Sequence, residues 1–320
     1  MKVLLVHSGN AVLDSNHYTF VKQQGDALEM LGVKVYYYAV KGKGARGYLK
    51  SLSGLKIAIR EFGVDLVHAH FGLCGALAVM QRKVPVVITF HNGETLTKKG
   101  KVLSTLAAWF CAYRIFVAQH IHDKLFKTPR QYAILPCGID IENLLLIEKE
   151  VAISNMGLPK DCPNILFGGS FSNLRKNYPL ARQAIERLSY PVNLIEMRGY
   201  DSQQVNLLYC ACDMLLLPTK SEGSPQVVKE AMACNCPIIA TAVADIPELL
   251  SGLDNCYVTG FDADEIANCI DKVLKKGSRS NGRQKVVSMG LDNPVVAQKL
   301  VAIYESVISK KNQNVKRKQY

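Results

Sequence analysis

Nowhere do the 320 residues hold an uncharged apolar run of 18 or more, so no segment is expected to cross a membrane as a helix. Low-complexity tracts and internal repeats are missing too. The apolar run at 3–6 is too short for a secretory leader, and His7, Asn10 and Asp14 follow it with no small-residue cleavage pattern. It reads as a first β-strand, and the expected location is the cytosol. Ten cysteines are present, but the closest pairs, Cys210 with Cys212 and Cys234 with Cys236, lack the two-residue spacing common in zinc sites. Reduced, buried thiols are expected. Acidic residues are the scarce charge: 27 Asp and Glu against 39 Lys and Arg, a net +12. The first 150 residues carry 19 basic and 11 acidic side chains, and Lys310, Lys311, Lys316, Arg317 and Lys318 crowd the tail. Such an excess favours an anionic partner. No recognised nucleic-acid-binding module appears, which argues against nucleic acid.

What is present is alternation. Short apolar or β-branched runs at 2–7, 34–40, 65–69, 85–91, 114–118 and 132–136 are separated by segments with helical spacing, among them 18–31, 49–62 and 102–112. This pattern predicts right-handed βαβ units and a parallel sheet. The pattern pauses over 140–161, read as a linker, and resumes with strands near 164–168, 192–197, 214–217, 237–241 and 256–259 and helices between them. The fold class is therefore α/β, with two doubly wound Rossmann-like domains, 1–145 and 162–293, facing across a cleft. Ligands of such sheets bind at the carboxyl ends of the strands.

The richest loop follows 214–217 and runs through Glu222, Gly223, Ser224, Pro225, Gln226 and Val227 to Glu230. Gly223 and Ser224 can open a helix with Pro225 at its first position. Exposed N–H groups there suit a diphosphate. Glu222 stands beside such a phosphate, and Glu230 lies about a turn and a half into the helix, within reach of a hydroxyl pair. The residues alone also allow a plainer reading, with Glu222 as a helix-start acid and Glu230 facing solvent.

The block from Glu222 through Thr241 resembles the E-x7-E signature of retaining glycosyltransferases of the GT-B fold, family 4. Agreement extends to Leu208–Met214, to Asp245-Ile246-Pro247-Glu248, to Asp65-Leu66-Val67-His68-Ala69-His70, to Thr89-Phe90-His91 and to Pro136-Cys137-Gly138. The resemblance implies that Glu222 contacts the donor sugar and Glu230 the nucleotide ribose. It implies a diphosphate cradle from the N–H groups of Ser224, Gln226 and Val227, since Pro225 has none. It implies a lysine, matched by Lys176, on the donor phosphates, with Asn177 where glycine is commoner. The family's neighbouring arginine is missing near Ser170-Phe171, and Arg175 is the candidate substitute. Of the family's paired glycines after the first strand only Gly9 is present, followed by an atypical stretch at 11–17. His91 matches a histidine near the reacting sugar and acceptor.

By the same resemblance no metal and no cofactor are expected. His68 and His70 share a strand face but lack a carboxylate cluster; His120 and His122 are open between the acceptor side and plain surface. The expected reaction moves a sugar, with retention, from a nucleoside diphosphate sugar to an acceptor hydroxyl on a glycan or lipid-linked carrier, as in cell-envelope polysaccharide assembly. The helix at 294–310 is expected to pack back on the first domain. Two rivals stay open: a GT-B-type sugar-nucleotide epimerase or phosphorylase, and a non-catalytic nucleotide-sugar-binding protein. Lys98, Lys99 and Lys101 precede the apolar helix that holds Trp109 and Phe110, and Lys41, Lys43, Arg46, Lys50, Lys56 and Arg60 form a second basic cluster. Basic residues beside an apolar helix can seat a domain peripherally on the inner face of an anionic plasma membrane; a core helix with a charged start is the alternative.

Overall fold

The computed structural model describes residues 1–9, 19–42, 44–93, 97–125, 127–128 and 131–317. Asn10, the stretch 11–17, Tyr18, Lys43 and Lys318, singled out in the sequence, lie outside the described residues. Two compact units are present: Met1–Gly138 with Asn293–Tyr320, and Ile139–Asp292.

The first unit alternates β1 (Lys2–Ser8), α1 (Thr19–Met30), β2 (Lys34–Val40), α2 (Gly44–Phe62), β3 (Leu66–His70), α3 (Gly72–Val79), β4 (Val86–Phe90), α4 (Lys98–Phe110), β5 (Tyr113–Phe116), α5 (Gln119–Lys124) and β6 (Tyr132–Ile134). Its strands form one sheet in the order β2-β1-β3-β4-β5-β6, with parallel pairing throughout. Val3, Leu4, Leu5 and Val6 are all fully buried. A continuous apolar run of this kind is what a strand covered on both faces needs.

The second unit holds α6 (Lys149–Met156), β7 (Asn164–Phe167), α7 (Tyr178–Ile185), β8 (Asn193–Glu196), α8 (Ser202–Ala211), β9 (Met214–Leu217), α9 (Gln226–Ala233), β10 (Ile238–Thr241), α10 (Ile246–Leu250), β11 (Tyr257–Thr259), α11 (Ala263–Lys276) and α12 (Gly282–Ser288). The sheet order is β11-β10-β9-β7-β8, again parallel. Asp201 and Gln204 cap α8 reciprocally as a capping box. The chain then returns to the first unit as α13 (Asn293–Arg317), whose Val296, Leu300, Tyr304 and Val307 share a core with Val3, Leu5, Val21 and Leu28.

The stretch 140–161, read from sequence as a linker, is built into the second unit. Ala152 and Ile153 are buried in the same core as Leu208 and Val228. Arg283 donates to the carbonyls of Ile141 (3.1 Å), Leu144 (2.7 Å) and Ala233 (2.9 Å). The stretch is mixed in composition because only one side of α6 is covered, with Ala152 and Ile153 buried and Glu150, Val151, Ser154 and Asn155 exposed.

Each sheet reverses strand order once, between β1 and β3 and between β7 and β9. At such a reversal the loops leaving neighbouring strands diverge and open a crevice at the carboxyl ends. Helix α9 starts beside the second crevice and packs against α12. A Cβ added to Gly282 would lie 2.6 Å from Met232 Cα and 2.7 Å from Met232 O. Both are backbone atoms of α9, with no side chain to swing away. Gly282→Ala is therefore expected to cost on the order of 2 kcal/mol through overpacking, read as a lower urea midpoint at unchanged m-value; an unchanged midpoint would show that the two helices slip apart freely.

Candidate functional site

Two loops of the second unit meet at its crevice, 168–177 after β7 and 218–225 after β9. Lys176 Nζ stands 2.8 Å from Glu222 Oε1, and each side chain is 15% exposed. Thr219 Oγ1 donates to the same Glu222 oxygen at 3.0 Å. The loops are braced on each other: Lys220 N–H donates to Arg175 O at 2.8 Å and Thr219 Oγ1 lies 3.1 Å from it. Thr241, at the end of β10, donates to Thr219 O at 2.6 Å. The Lys176 stem lies over Gly169, where an added Cβ would be 2.8 Å from Lys176 Cγ. Asn177 has φ 61° and ψ 46°, the left-handed region that Asn tolerates better than most residues, which accounts for its standing where glycine is commoner. Sequence thus placed Lys176 and Glu222 in separate loops, and the fold joins them in an ion pair.

Helix α9 begins at Gln226, with Pro225 as its N-cap at φ −70° and ψ 120°. This corrects the expectation of Pro225 inside the first turn. With ψ near 120° its backbone is extended, and its carbonyl already accepts from Val228 and Lys229. Gln226 and Val227 therefore occupy the first two helical positions, whose N–H groups precede the intrahelical ladder. Gly223, Ser224, Gln226 and Val227 are partly buried.

Behind this helix start lies a set of charges in which the sequence reading gave a role to Glu230 alone. Glu230 Oε2 accepts from the fully buried Tyr209 hydroxyl at 2.9 Å. Only part of the Glu230 side chain reaches the surface, so the solvent-facing alternative fails. Burial pushes its carboxyl pKa up, while the Tyr209 hydrogen bond and the Lys229 charge pull it down. Lys229 itself is fully buried. Asp245 is also pushed up by burial and pulled down by the Ser224 hydroxyl and Lys229. A buried ammonium needs anionic neighbours, and it has two. Lys229 lies on the covered side of α9, four residues before the buried Ala233.

Arg175, the candidate substitute for the missing arginine, lies in the loop after β7, one residue before Lys176. It is exposed, and what it contributes to the brace is its carbonyl. Where that arginine was expected, Ser170 Oγ and the Phe171 N–H instead donate to Glu196 Oε1 at 2.6 and 2.7 Å.

The first unit carries its own cluster at the carboxyl ends of β1, β3 and β4. Gly9 leaves β1 pressed against the end of β2, an added Cβ lying 3.1 Å from Ala39 Cβ and from Val40 O. His91 follows β4, its Nε2 3.1 Å from His70 Nδ1. Its ring lies against Phe71 and Phe20, with centroids 4.6 and 5.1 Å away. His68 is spanned by Tyr304 OH (2.6 Å) and Thr89 Oγ1 (2.7 Å). Burial lowers the pKa of His70 and brings that of His68 down to about 3, so both are neutral near pH 7. The His68 ring nitrogens thus face two hydroxyls, while those of His70 face His91 Nε2 and, at 3.5 Å, the Gln24 amide. His122 stacks on Tyr132 at 4.2 Å. All ten cysteines are free thiols.

Comparison with known proteins gives a consistent answer. The profile of glycosyl transferases group 1 matches residues 163–276, and that of Glycosyltransferase Family 4 matches residues 18–143. An uncharacterized glycosyltransferase of Methanocaldococcus jannaschii is 28% identical over 233 residues, 65% of each chain. The putative teichuronic acid biosynthesis glycosyltransferase TuaC of Bacillus subtilis is 26% identical over 277 residues, 75% of this chain and 71% of that one. The first of these matches thus spans just under two thirds of the relative's own length. Among solved structures, sucrose-phosphate synthase from Thermosynechococcus elongatus superposes with a TM-score of 0.83 at 16% identity, covering 97% of this chain and 100% of that one. Anabaena HepE in complex with UDP-glucose gives 0.73 at 16% identity, covering 96% and 100%. At these identities the structural likeness speaks for the fold.

The charges behind α9 have a pH signature. Glu230 and Asp245 have folded pKa values above their unfolded ones, so between the two values the folded chain binds more protons. Stability of the unliganded chain then falls as pH rises from the ordinary glutamate value of 4.5 toward the raised one. Glu230→Gln should flatten part of that slope, and Tyr209→Phe should extend the window upward by removing a hydrogen bond that favours the carboxylate. Urea titrations across pH check this; a slope equal in all three proteins would refute the assignment.

Proposed function

Because the chain belongs to the group 1, family 4 glycosyltransferases and has their GT-B fold, we propose that it transfers a sugar from a nucleoside diphosphate sugar to an acceptor hydroxyl with retained anomeric configuration. The observation that carries this reading is the Lys176–Glu222 pair beside the first turn of α9. In this reading the diphosphate lies against the N–H groups of Ser224, Gln226 and Val227, with Lys176 as its cation. Glu222 accepts from donor-sugar hydroxyls. Glu230, oriented by Tyr209, accepts from the ribose. HepE, solved with UDP-glucose, makes a uridine nucleotide the first donor to try.

The chemistry asks for charge in the transition state. As the bond from sugar to diphosphate breaks, negative charge grows on the leaving oxygen, and a held ammonium stabilises it more than it stabilises the bound donor. The leaving diphosphate then takes the acceptor proton, so no strong general base is needed. In this reading His91, 3.1 Å from the neutral His70, is the first unit's candidate for the acceptor. The acceptor is a glycan or lipid-linked carrier, consistent with the basic first 150 residues and with the teichuronic acid assignment of TuaC. Attachment to the membrane, where it occurs, is peripheral.

A thermal-shift panel of nucleoside diphosphate sugars tests the reading, because a donor at 100 times its dissociation constant adds about 2.7 kcal/mol to stability. A panel with no responder overturns it. With the donor identified, Glu230→Ala should weaken calorimetric affinity about 10- to 100-fold, as expected for a lost charge-assisted hydrogen bond. Lys176→Ala should lower kcat more than donor affinity. Unchanged turnover in that variant removes Lys176 from the mechanism.

A further inference from the structure

Helix α4 is amphipathic the wrong way round for a core helix. Facing the interior are Ser104, Thr105, Ala107 and Ala108. Facing out are Val102, Leu103, Leu106, Trp109 and Phe110, which are 46, 43, 50, 53 and 70% exposed. These five fall at i, i+1, i+4, i+7 and i+8, a single stripe. The small inward residues let α4 sit close against α3, and the large ones are left outside.

The stripe is framed by cations. Lys98 and Lys99 are exposed at the start of α4. At its far end Phe110 and Met80 line a groove of about 960 Å³ that also takes in Arg82, Lys83, Lys310 and Lys311, and no acidic side chain lines it. From Leu66 to His122 the sequence contains a single acid, Glu94. In a chain with 27 acids, a 57-residue stretch with one of them is a large local asymmetry. No helix among the described residues is long and apolar enough to cross a membrane, so the apolar stripe is not part of a span.

We propose that the exposed face of α4, with the basic groove at its end, is a docking surface for an anionic phospholipid bilayer. The apolar stripe enters the boundary between headgroups and acyl chains, and the lysines and arginines at both ends meet the lipid phosphates. Trp109 has the polarity for that depth: its ring is half exposed while Nε1 donates to Lys127 O at 3.0 Å, leaving an apolar edge free to insert. Helix α4 runs back from the strand ends that carry His91 toward the opposite edge of the sheet, so its lysine end is the end nearer His91. This deepens the proposed function by giving a lipid-carried acceptor a surface to approach along, but the docking is a separate physical event and is tested separately.

Trp109 is the sole tryptophan, so its emission reports directly on this surface. The full chain is mixed with vesicles of phosphatidylcholine alone or of phosphatidylcholine with phosphatidylglycerol. Anionic vesicles should shift the emission to the blue, sediment the protein, and support quenching by lipids brominated in the acyl chain. Neutral vesicles should do none of these, and raised salt should reverse the binding. Lys98→Glu with Lys99→Glu should weaken partitioning about tenfold or more, and Leu106→Ser with Phe110→Ser should abolish the blue shift, with unchanged circular dichroism in both variants. Three outcomes overturn the proposal: no shift and no sedimentation with anionic vesicles, binding indifferent to lipid charge, or a blue shift that tracks protein concentration without lipid, which would mean that a second copy covers the face. Donor-induced thermal shifts in the same variants read the catalytic assignment on its own, so loss of one does not entail loss of the other.

Discussion

A strand in a parallel sheet cannot turn straight back into its neighbour. Every pairing in both sheets therefore requires a crossover, and each crossover leaves its strand at the carboxyl end. That constraint decides where chemistry can be assembled. All the loops that matter, 168–177, 218–225, Ser8-Gly9 and the turn after Phe90, are delivered to one edge of their sheet by the same rule. Where strand order reverses, between β7 and β9, two of them are held apart enough to leave a crevice yet close enough to be braced through Arg175 O, Thr219 and Lys220. The ion pair of Lys176 and Glu222 is a consequence of that bracing.

The pair's setting governs its use. A partly buried ion pair gains little net stability, because desolvation offsets attraction. Its value in the proposed reaction lies in readiness: Glu222 holds the ammonium at the crevice until a more highly charged group arrives. A second layer of charge lies behind α9, where the buried Lys229 counteracts the rise that burial imposes on the carboxyl groups of Glu230 and Asp245. Tyr209 contributes direction by donating to one Glu230 oxygen. The helix start, the ion pair and Lys229 with its two carboxyl neighbours thus draw on α9, on the loops after β7 and β9 and on Asp245.

Legibility from sequence followed burial. Strands such as β1, β9 and β10 are covered on both faces and print unbroken apolar runs, so their order, and with it the α/β class, could be read directly. The E-x7-E block was legible because its two acids lie on a single continuous segment. What was not legible was anything that depends on partners distant in sequence. Helix α6 was passed over as linker because Ala152 and Ile153 gain their cover from α8, more than fifty residues on. Lys229 reads as a surface lysine until α9 is seen against the rest of its unit. In α4 the difficulty is reversed: the apolar content was plain, but only the fold tells which side of the helix faces out.

The altered grip at Ser170 carries a consequence for how the proposed site would balance charge. The expected arginine would bring a second permanent cation to the donor phosphates. Here the same turn holds Glu196, whose carboxylate accepts from Ser170 and Phe171, so the turn contributes a donor set already spent on an anion. The burden of a diphosphate then falls on Lys176 and on backbone N–H groups at the start of α9. Backbone groups are fixed in direction and cost no reorganisation, but the helix-end partial charge is roughly half a unit and screened within a turn. A site so built would favour a donor whose own geometry fits the helix end closely, and would discriminate by shape at the diphosphate more than by charge.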